Sequence, residues 1–250
     1  DRPPGASVSA AGPRRTPPGV FVAGTDTGVG KTLVAAALIH ALAAAGRRVA
    51  PFKPVAAGAA TGPAGPRNDD AELLLDLAGT DLPYGLVNPV LADAAMAPHI
   101  ALAWEGRRFE RAAVLDAWSA LAGAADVVVA EGAGGWLVPL TDDYDMASLA
   151  ADLGLPVLLV VGLRLGCLNH ARLTAEAIGA RGLPLAGWVA STLDPAMPGL
   201  KENLATLESA LSRPPLAVLP WLPDDTPRER AVAVSRQGLI KRLVDYLIND

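Results

Sequence analysis

The side chains able to do chemistry gather in five short stretches of the chain. The first is VFVAGTDTGVGKT, from Val20 to Thr32. Val20, Phe21, Val22 and Ala23 read as a buried strand, Gly24 to Gly30 as a glycine-bearing turn, and Lys31 and Thr32 as the first turn of a helix. Unpaired backbone N–H groups at such a helix start point at bound oxygens, the lysine supplies charge, and the threonine hydroxyl can ligate Mg²⁺. The spacing departs from a strict G-x-x-x-x-G-K-[ST] pattern, because Thr25 stands where its first glycine belongs and Gly24 lies one place earlier. Phosphate chemistry is still the expectation, since strand and helix flank the loop as required.

The second stretch is Lys53, delivered at the carboxyl end of a predicted strand over 49–52. Open α/β sheets bind ligands at that end, so Lys53 is expected to be a second ligand-facing cation. Third come Asp69 and Asp70, in the first turn of a helix capped by Asn68. They either complement the helix dipole or face a metal, and the residues alone leave both readings open. Fourth is Glu131, placed by the apolar strand 126–130 and followed by Gly132, Gly134 and Gly135. An acid at such a strand end is how nucleotide-binding sheets hold a carboxylate on Mg²⁺. Last are Gly166, Cys167, Leu168 and Asn169, a loop entering a helix whose free N–H groups suit a second anion. Cys167 has no acid or base partner by pattern and is read as a small loop residue, and His40 as a packed or half-exposed helix side chain rather than a catalyst.

Strands and helices alternate around these stretches. Helices are expected over 31–45 with Gly46 as the stop, from Asn68 onward with Leu73, Leu74 and Leu77 inward, and over 110–122, 171–180, 198–211 and 227–248. Further strands are expected over 155–161, 185–190 and 216–219. The stretch 55–67 reads as a glycine and proline loop beside the site, and 84–103 is broken by Pro89 and Pro98. This order predicts an α/β protein with a doubly wound, mostly parallel sheet flanked by helices. Residues 1–18 read as a flexible Pro- and Gly-rich leader and 19–250 as a single domain.

Composition narrows the class of protein. At 250 residues and 51% hydrophobic content, with mean hydropathy +0.32, the chain can bury a large core. A formal net charge of −5 argues against a broad nucleic-acid or anionic-membrane surface. No apolar run approaches the roughly 18 residues of a spanning helix. One cysteine rules out an intramolecular disulfide, and His40, His99 and His170 form no zinc pattern. A cytoplasmic protein is the expectation.

Taken together, GTDTGVGKT (24–32), KPVAAG (53–58), RNDDA (67–71), PHI (98–100), EGAGGW (131–136), LGCLNHA (165–171), GWVA (187–190) and PWL (220–222) resemble the dethiobiotin synthetases, a P-loop NTPase-like family, in order and spacing over about 20–223. The resemblance implies ATP- and Mg²⁺-dependent ring closure of 7,8-diaminopelargonic acid with CO₂ to dethiobiotin, through a carbamate and a carbamic-phosphoric mixed anhydride. It implies that Lys31 and Lys53 are catalytic, Lys31 gripping phosphates and Lys53 stabilising the carbamate and the phosphoryl group in transit. Thr32, Asp70 and Glu131 are implied as metal ligands, with Asp70 rather than Asp69 in register. Thr27, Gly28, Val29, Gly30, Lys31 and Thr32 would hold the triphosphate, and Ser191 with Pro220, Trp221 and Leu222 the adenine. Gly166, Cys167, Leu168 and Asn169 would bind the substrate carboxylate from a neighbouring subunit, which implies a homodimer with composite sites.

The chain departs from the family at four positions. Gly28 stands where some members carry an acid, Ala57 where some carry serine, Ser191 where an adenine-reading asparagine occurs, and Asn203 where a substrate-contacting tyrosine occurs. Two rival readings are weaker. A cobyrinic acid diamide type synthetase would need a glutaminase domain, and a ParA/MinD-like switch ATPase would carry a second loop lysine where this chain has Asp26.

Overall fold

The computed structural model describes residues 18–222, 225–236 and 244. Residues 1–17 of the expected leader, Pro223, and the end of the expected terminal helix apart from residue 244 lie outside the described residues.

The chain runs β1 (Gly19–Gly24), α1 (Lys31–Ala44), β2 (Val49–Phe52), β3 (Val55–Ala57), β4 (Ala60–Gly62), β5 (Gly65–Arg67), α2 (Asp69–Ala78), α3 (Tyr84–Val87), β6 (Val90–Ala92) and α4 (Pro98–Trp104). It continues through α5 (Arg111–Ala124), β7 (Val127–Glu131), α6 (Met146–Leu153), β8 (Val157–Leu163), α7 (Cys167–Ala180), β9 (Leu185–Thr192), α8 (Leu200–Ala210), β10 (Ala217–Leu219) and α9 (Pro227–Arg236). Six strands form one parallel sheet in the order β10-β9-β8-β1-β7-β2. Parallel neighbours need crossovers, and the helices that provide them cover both faces.

Side-chain alternation along β1 divides the interior. Phe21 and Ala23 point into a core shared with α5, α6, α7 and α8, whereas Val20 and Val22 point into a second core with α1, α2 and α9. Buried on both faces, β1, β7 and β8 are accordingly apolar with little alternation. Register places Val22 level with Glu131 and Gly24 level with Val160, so Glu131 at the end of β7 stands beside the carboxyl end of β1, from which the phosphate loop departs. No helix among the described residues is long and apolar enough to cross a membrane.

Several boundaries differ from the sequence reading. The stretch 55–67 is not a plain loop: β3 pairs in parallel with β6, and β4 pairs with β5 as a small exposed hairpin. Short alanine- and glycine-rich strands show no apolar alternation, so nothing local announces them. Helix α6 was not anticipated, although Asp145 caps it by accepting the Ser148 N–H at 2.7 Å. Helix α7 begins at Cys167, four residues earlier than expected, because Gly166 takes the left-handed conformation (φ 94°) that starts it. Strands β8 and β9 each run two residues further at the carboxyl end than expected, to Leu163 and Thr192. Leu74 and Leu77 are buried as expected, while Leu73 packs half-buried.

Candidate active site

The loop between β1 and α1 is built to lie against its own lysine. A Cβ on Gly24 would come within 2.9 Å of the Lys31 side chain. Gly28 and Gly30 have φ of 72° and 96°, a region in which L side chains are strained, and Gly30 opens α1. A Cβ on Gly30 would also meet Ser191 Oγ at 2.9 Å. The turn therefore needs glycine there twice over, for its dihedral and for the contact beneath it.

Five side chains meet where the central strands end. Lys53 Nζ donates to Glu131 Oε1 at 2.6 Å and to Asp70 Oδ2 at 3.0 Å. Thr32 Oγ1 donates to the same Glu131 oxygen at 2.8 Å. Lys31 Nζ donates to the Asp26 backbone carbonyl at 2.8 Å. Lys31, Lys53 and Glu131 are all buried, and Glu131 Oε2 has no hydrogen-bond partner. These groups line a cavity of about 710 Å³ with Thr27, Gly28 and Gly30 on one side, and Ala56, Ala57 and residues 95–98 on the other.

The two lysines differ in electrostatics. Burial pushes the Lys31 ammonium down to about 8, against a smaller opposing pull from Glu131. For Lys53 burial is again the largest single effect and disfavours charge, but the combined attraction and hydrogen bonds of Glu131 and Asp70 overcome it and raise the group above the ordinary lysine value. The surroundings of Lys53 thus favour its charged form, whereas burial weakens that form on Lys31.

The oxygen donors suit a hard divalent cation. Among the described residues no group of three or more His, Cys, Asp or Glu could hold a metal alone. Mg²⁺ is characteristically held by one or two carboxylates, a hydroxyl, waters and substrate phosphates. Glu131, with an unpartnered buried oxygen, Thr32 beside it and Asp70 across Lys53 fit that mode.

The structure places Lys31, Thr32, Lys53, Asp70, Glu131, Thr27, Gly28 and Gly30 around one cavity. Asp69 is exposed on α2, whereas Asp70 turns to Lys53. The Val29 side chain is buried in the core under the loop, leaving only its backbone for a ligand. Ser191 is buried against Gly30 and level with Leu219, from which Pro220, Trp221 and Leu222 continue; none of the four lines the cavity. Gly166, Cys167, Leu168 and Asn169 open α7 away from it, with Cys167 buried and Gly166 and Asn169 exposed.

Sequence reasoning missed three neighbours of the site. Asn68 caps α2, as expected, and also lines the cavity. Asn88 is buried and holds the Lys53 carbonyl at 2.6 Å. Arg164, at the end of β8, forms an ion pair with the Asp26 carboxylate, whose other oxygen accepts the Thr27 N–H at 2.7 Å. Only spatial neighbours separated by many residues reveal these roles, and no local pattern carries them.

A phosphate-type loop after the central strand of a parallel sheet, with an acid ending the adjacent strand, defines a nucleotide-binding protein of the P-loop NTPase fold. Solved structures agree on the fold: MinD with Mg-ADP from Pyrococcus horikoshii (18% identity, 92% of this chain and 93% of that one, TM-score 0.51) and the MinC:MinD complex of Aquifex aeolicus (16%, 93% and 96%, TM-score 0.52). An AAA domain family model matches residues 18–229. The ATP-dependent dethiobiotin synthetase of Ralstonia nicotianae is 50% identical over 89% of this chain and 97% of its own length. That of Aromatoleum aromaticum is 47% identical over 87% and 97%, and that of Xanthomonas oryzae pv. oryzae 45% over 89% and 97%. The chain belongs to the ATP-dependent dethiobiotin synthetase family.

Proposed function

We propose that the protein closes the ureido ring of dethiobiotin from 7,8-diaminopelargonic acid, CO₂ and ATP in biotin biosynthesis. One observation carries the reading: a buried lysine, Lys53, held between Glu131 and Asp70 in the same cavity as the phosphate loop. One amine of the substrate adds to CO₂ and loses a proton, giving a carbamate. A carbamate oxygen attacks the γ-phosphorus and ADP leaves. The second amine then attacks the carbonyl carbon and expels phosphate, closing the ring.

Two anions must approach each other in the second step, and the residues are suited to offset that repulsion. Lys31 leaves the Asp26 carbonyl for the β- and γ-phosphates, with the loop N–H groups of 27–32 around them. Lys53 bridges the carbamate and the phosphoryl group in transit. Mg²⁺, held by Thr32, Asp70 and Glu131, would neutralise charge on the phosphate oxygens. Ser191, Pro220, Trp221 and Leu222 would receive the adenine. Gly166 to Asn169 would bind the substrate carboxylate across a homodimer interface, which accounts for their position outside the protomer's own cavity. The same reading makes the enzyme cytoplasmic.

The test is ADP release with Mg²⁺, ATP, bicarbonate and the diamine, each omitted in turn. Release that requires both bicarbonate and diamine supports the reading. Release without them replaces it with a simple ATPase.

A further inference from the structure

We propose that Tyr84 and Asn88 are positioning residues, forming a relay that sets the placement of Lys53 and of the helix end that carries Asp70. The proposal rests on the reading of Lys53 and Asp70 as members of the reaction centre.

The relay is continuous. The Asn68 backbone N–H donates to Tyr84 Oη at 2.8 Å, and Tyr84 Oη donates to Asn88 Oδ1 at 3.0 Å. Asn88 Nδ2 then donates to the Lys53 carbonyl at 2.6 Å and to the Val90 carbonyl at 3.3 Å. The Lys53 N–H donates in turn to the Val87 carbonyl at 2.8 Å. Both polar groups of the Lys53 backbone are thus fixed by the segment 87–88, before its side chain makes any contact.

The other end of the relay fixes the partner. Asn68 caps α2 by accepting the Ala71 N–H at 3.3 Å, and Asp70 lies within the turn so closed. Asn68 and Asn88 are both buried, at 8% and 4% exposure, so breaking these bonds would leave their polar groups poorly solvated. Arg67 stacks on the Tyr84 ring, 3.9 Å from its centroid, and covers the phenol. A tyrosine hydroxyl is already protonated at neutral pH, where it donates, and burial favours that neutral form further. One hydroxyl therefore joins two segments that must agree in position for the Lys53–Asp70 contact to form. Hydrogen bonds in such a chain act as a unit rather than as independent pairs.

The experiment compares Tyr84→Phe, Asn88→Ala, the double variant and Leu153→Ala, a buried core truncation in the last turn of α6, just before the amino-terminal end of β8 and so at the end of the sheet opposite Lys53. Tyr84→Phe is expected to lower kcat about 10- to 100-fold while the Kd for ATP stays within about threefold. The double variant is expected to lose no more than Asn88→Ala alone, within about threefold. Leu153→Ala lowers the Tm and leaves kcat per folded molecule unchanged. Hydrogen exchange supplies a readout independent of turnover: in Tyr84→Phe, and not in Leu153→Ala, the amides of Lys53 and Ala71 exchange about tenfold or more faster. Unchanged exchange at both amides, additive losses in the double variant, or parallel loss of kcat and ATP binding would each overturn the relay. If the wild type lacks turnover dependent on diamine and bicarbonate, the assigned reaction fails, and the exchange rates still decide the positioning role.

Discussion

Lys53 Nζ lies 2.6 Å from Glu131 Oε1, and both side chains are removed from water. Taking two such charges out of water is costly, and the loss of either one strands the other. The pair is therefore better understood as a held arrangement of charge than as a source of stability. Its two members are joined by β2 and β7, adjacent strands whose register fixes Phe52 opposite Ala130.

Lys53→Ala is expected to reduce turnover on the order of 10³-fold, the scale of removing one oriented charge from a transition state. ATP binding survives, since the loop and Lys31 are untouched. The stranded Glu131 also costs about 3–5 kcal/mol of stability. Titration calorimetry with ATP beside the ADP-release assay separates the effects, and equal loss of binding and turnover would remove Lys53 from the reaction.

Glu131→Gln keeps the size of the side chain and removes its charge. Under the proposed metal site, in which Glu131 is a carboxylate ligand, the Mg²⁺ concentration for half-maximal activity is expected to rise about tenfold or more. An unchanged Mg²⁺ dependence would move the metal elsewhere.

The depressed Lys31 ammonium makes a signed prediction. Its folded value of about 8 lies below the ordinary 10.5, so between these limits the unfolded chain binds more protons. The stabilisation is complete above about pH 10.5 and is lost as pH falls to about 8. A plot of wild-type minus Lys31→Met stability should rise with pH across this window. Phosphate restores the charged form, so ATP binding at pH 8.5 takes up protons, seen as buffer-dependent binding heat that Lys31→Met abolishes.

Gly30→Ala meets two obstacles, the positive φ and the Ser191 hydroxyl. The dihedral alone costs about 1–2 kcal/mol. Adding Ser191→Ala should recover only part of the fall in Tm and of the ATP affinity. Full recovery would show that the contact, not the backbone, demands glycine.

Arg164→Ala breaks the pair with Asp26. Because both partners are 43–44% exposed, stability should change by about 1 kcal/mol or less. The KM for ATP is expected to rise several-fold as the loop loses its tether. A fall in Tm with an unchanged KM would assign the pair to stability alone.

Much of the site was legible because its parts end strands or start helices. GVGKT at a helix start and Glu131 at a strand end carry their own context, as does Asn68 before an apolar helical run. The alternation of strands and helices likewise yields the doubly wound parallel sheet. Choosing Asp70 over Asp69 took resemblance to a family, since both occupy the same helical turn and only side-chain direction separates them. Asn88 and Arg164 were illegible for another reason. Their partners lie 35 and 138 residues away, and only the tertiary fold brings them together. Strand β3 pairs with β6 across a similar gap, so 55–57 looked like a loop.

That small pair has a consequence for how the enzyme can change. β3 and β6 stand outside the six-stranded sheet, yet Ala56 and Ala57 of β3 line the cavity together with residues 95–98. The wall facing the phosphate loop is thus carried on an accessory unit rather than on the helix that holds Lys31 and the strand that holds Glu131. Its side chains can be exchanged to admit a longer, shorter or differently substituted diamine while the phosphate machinery keeps its footing. Redesign of substrate choice should begin there.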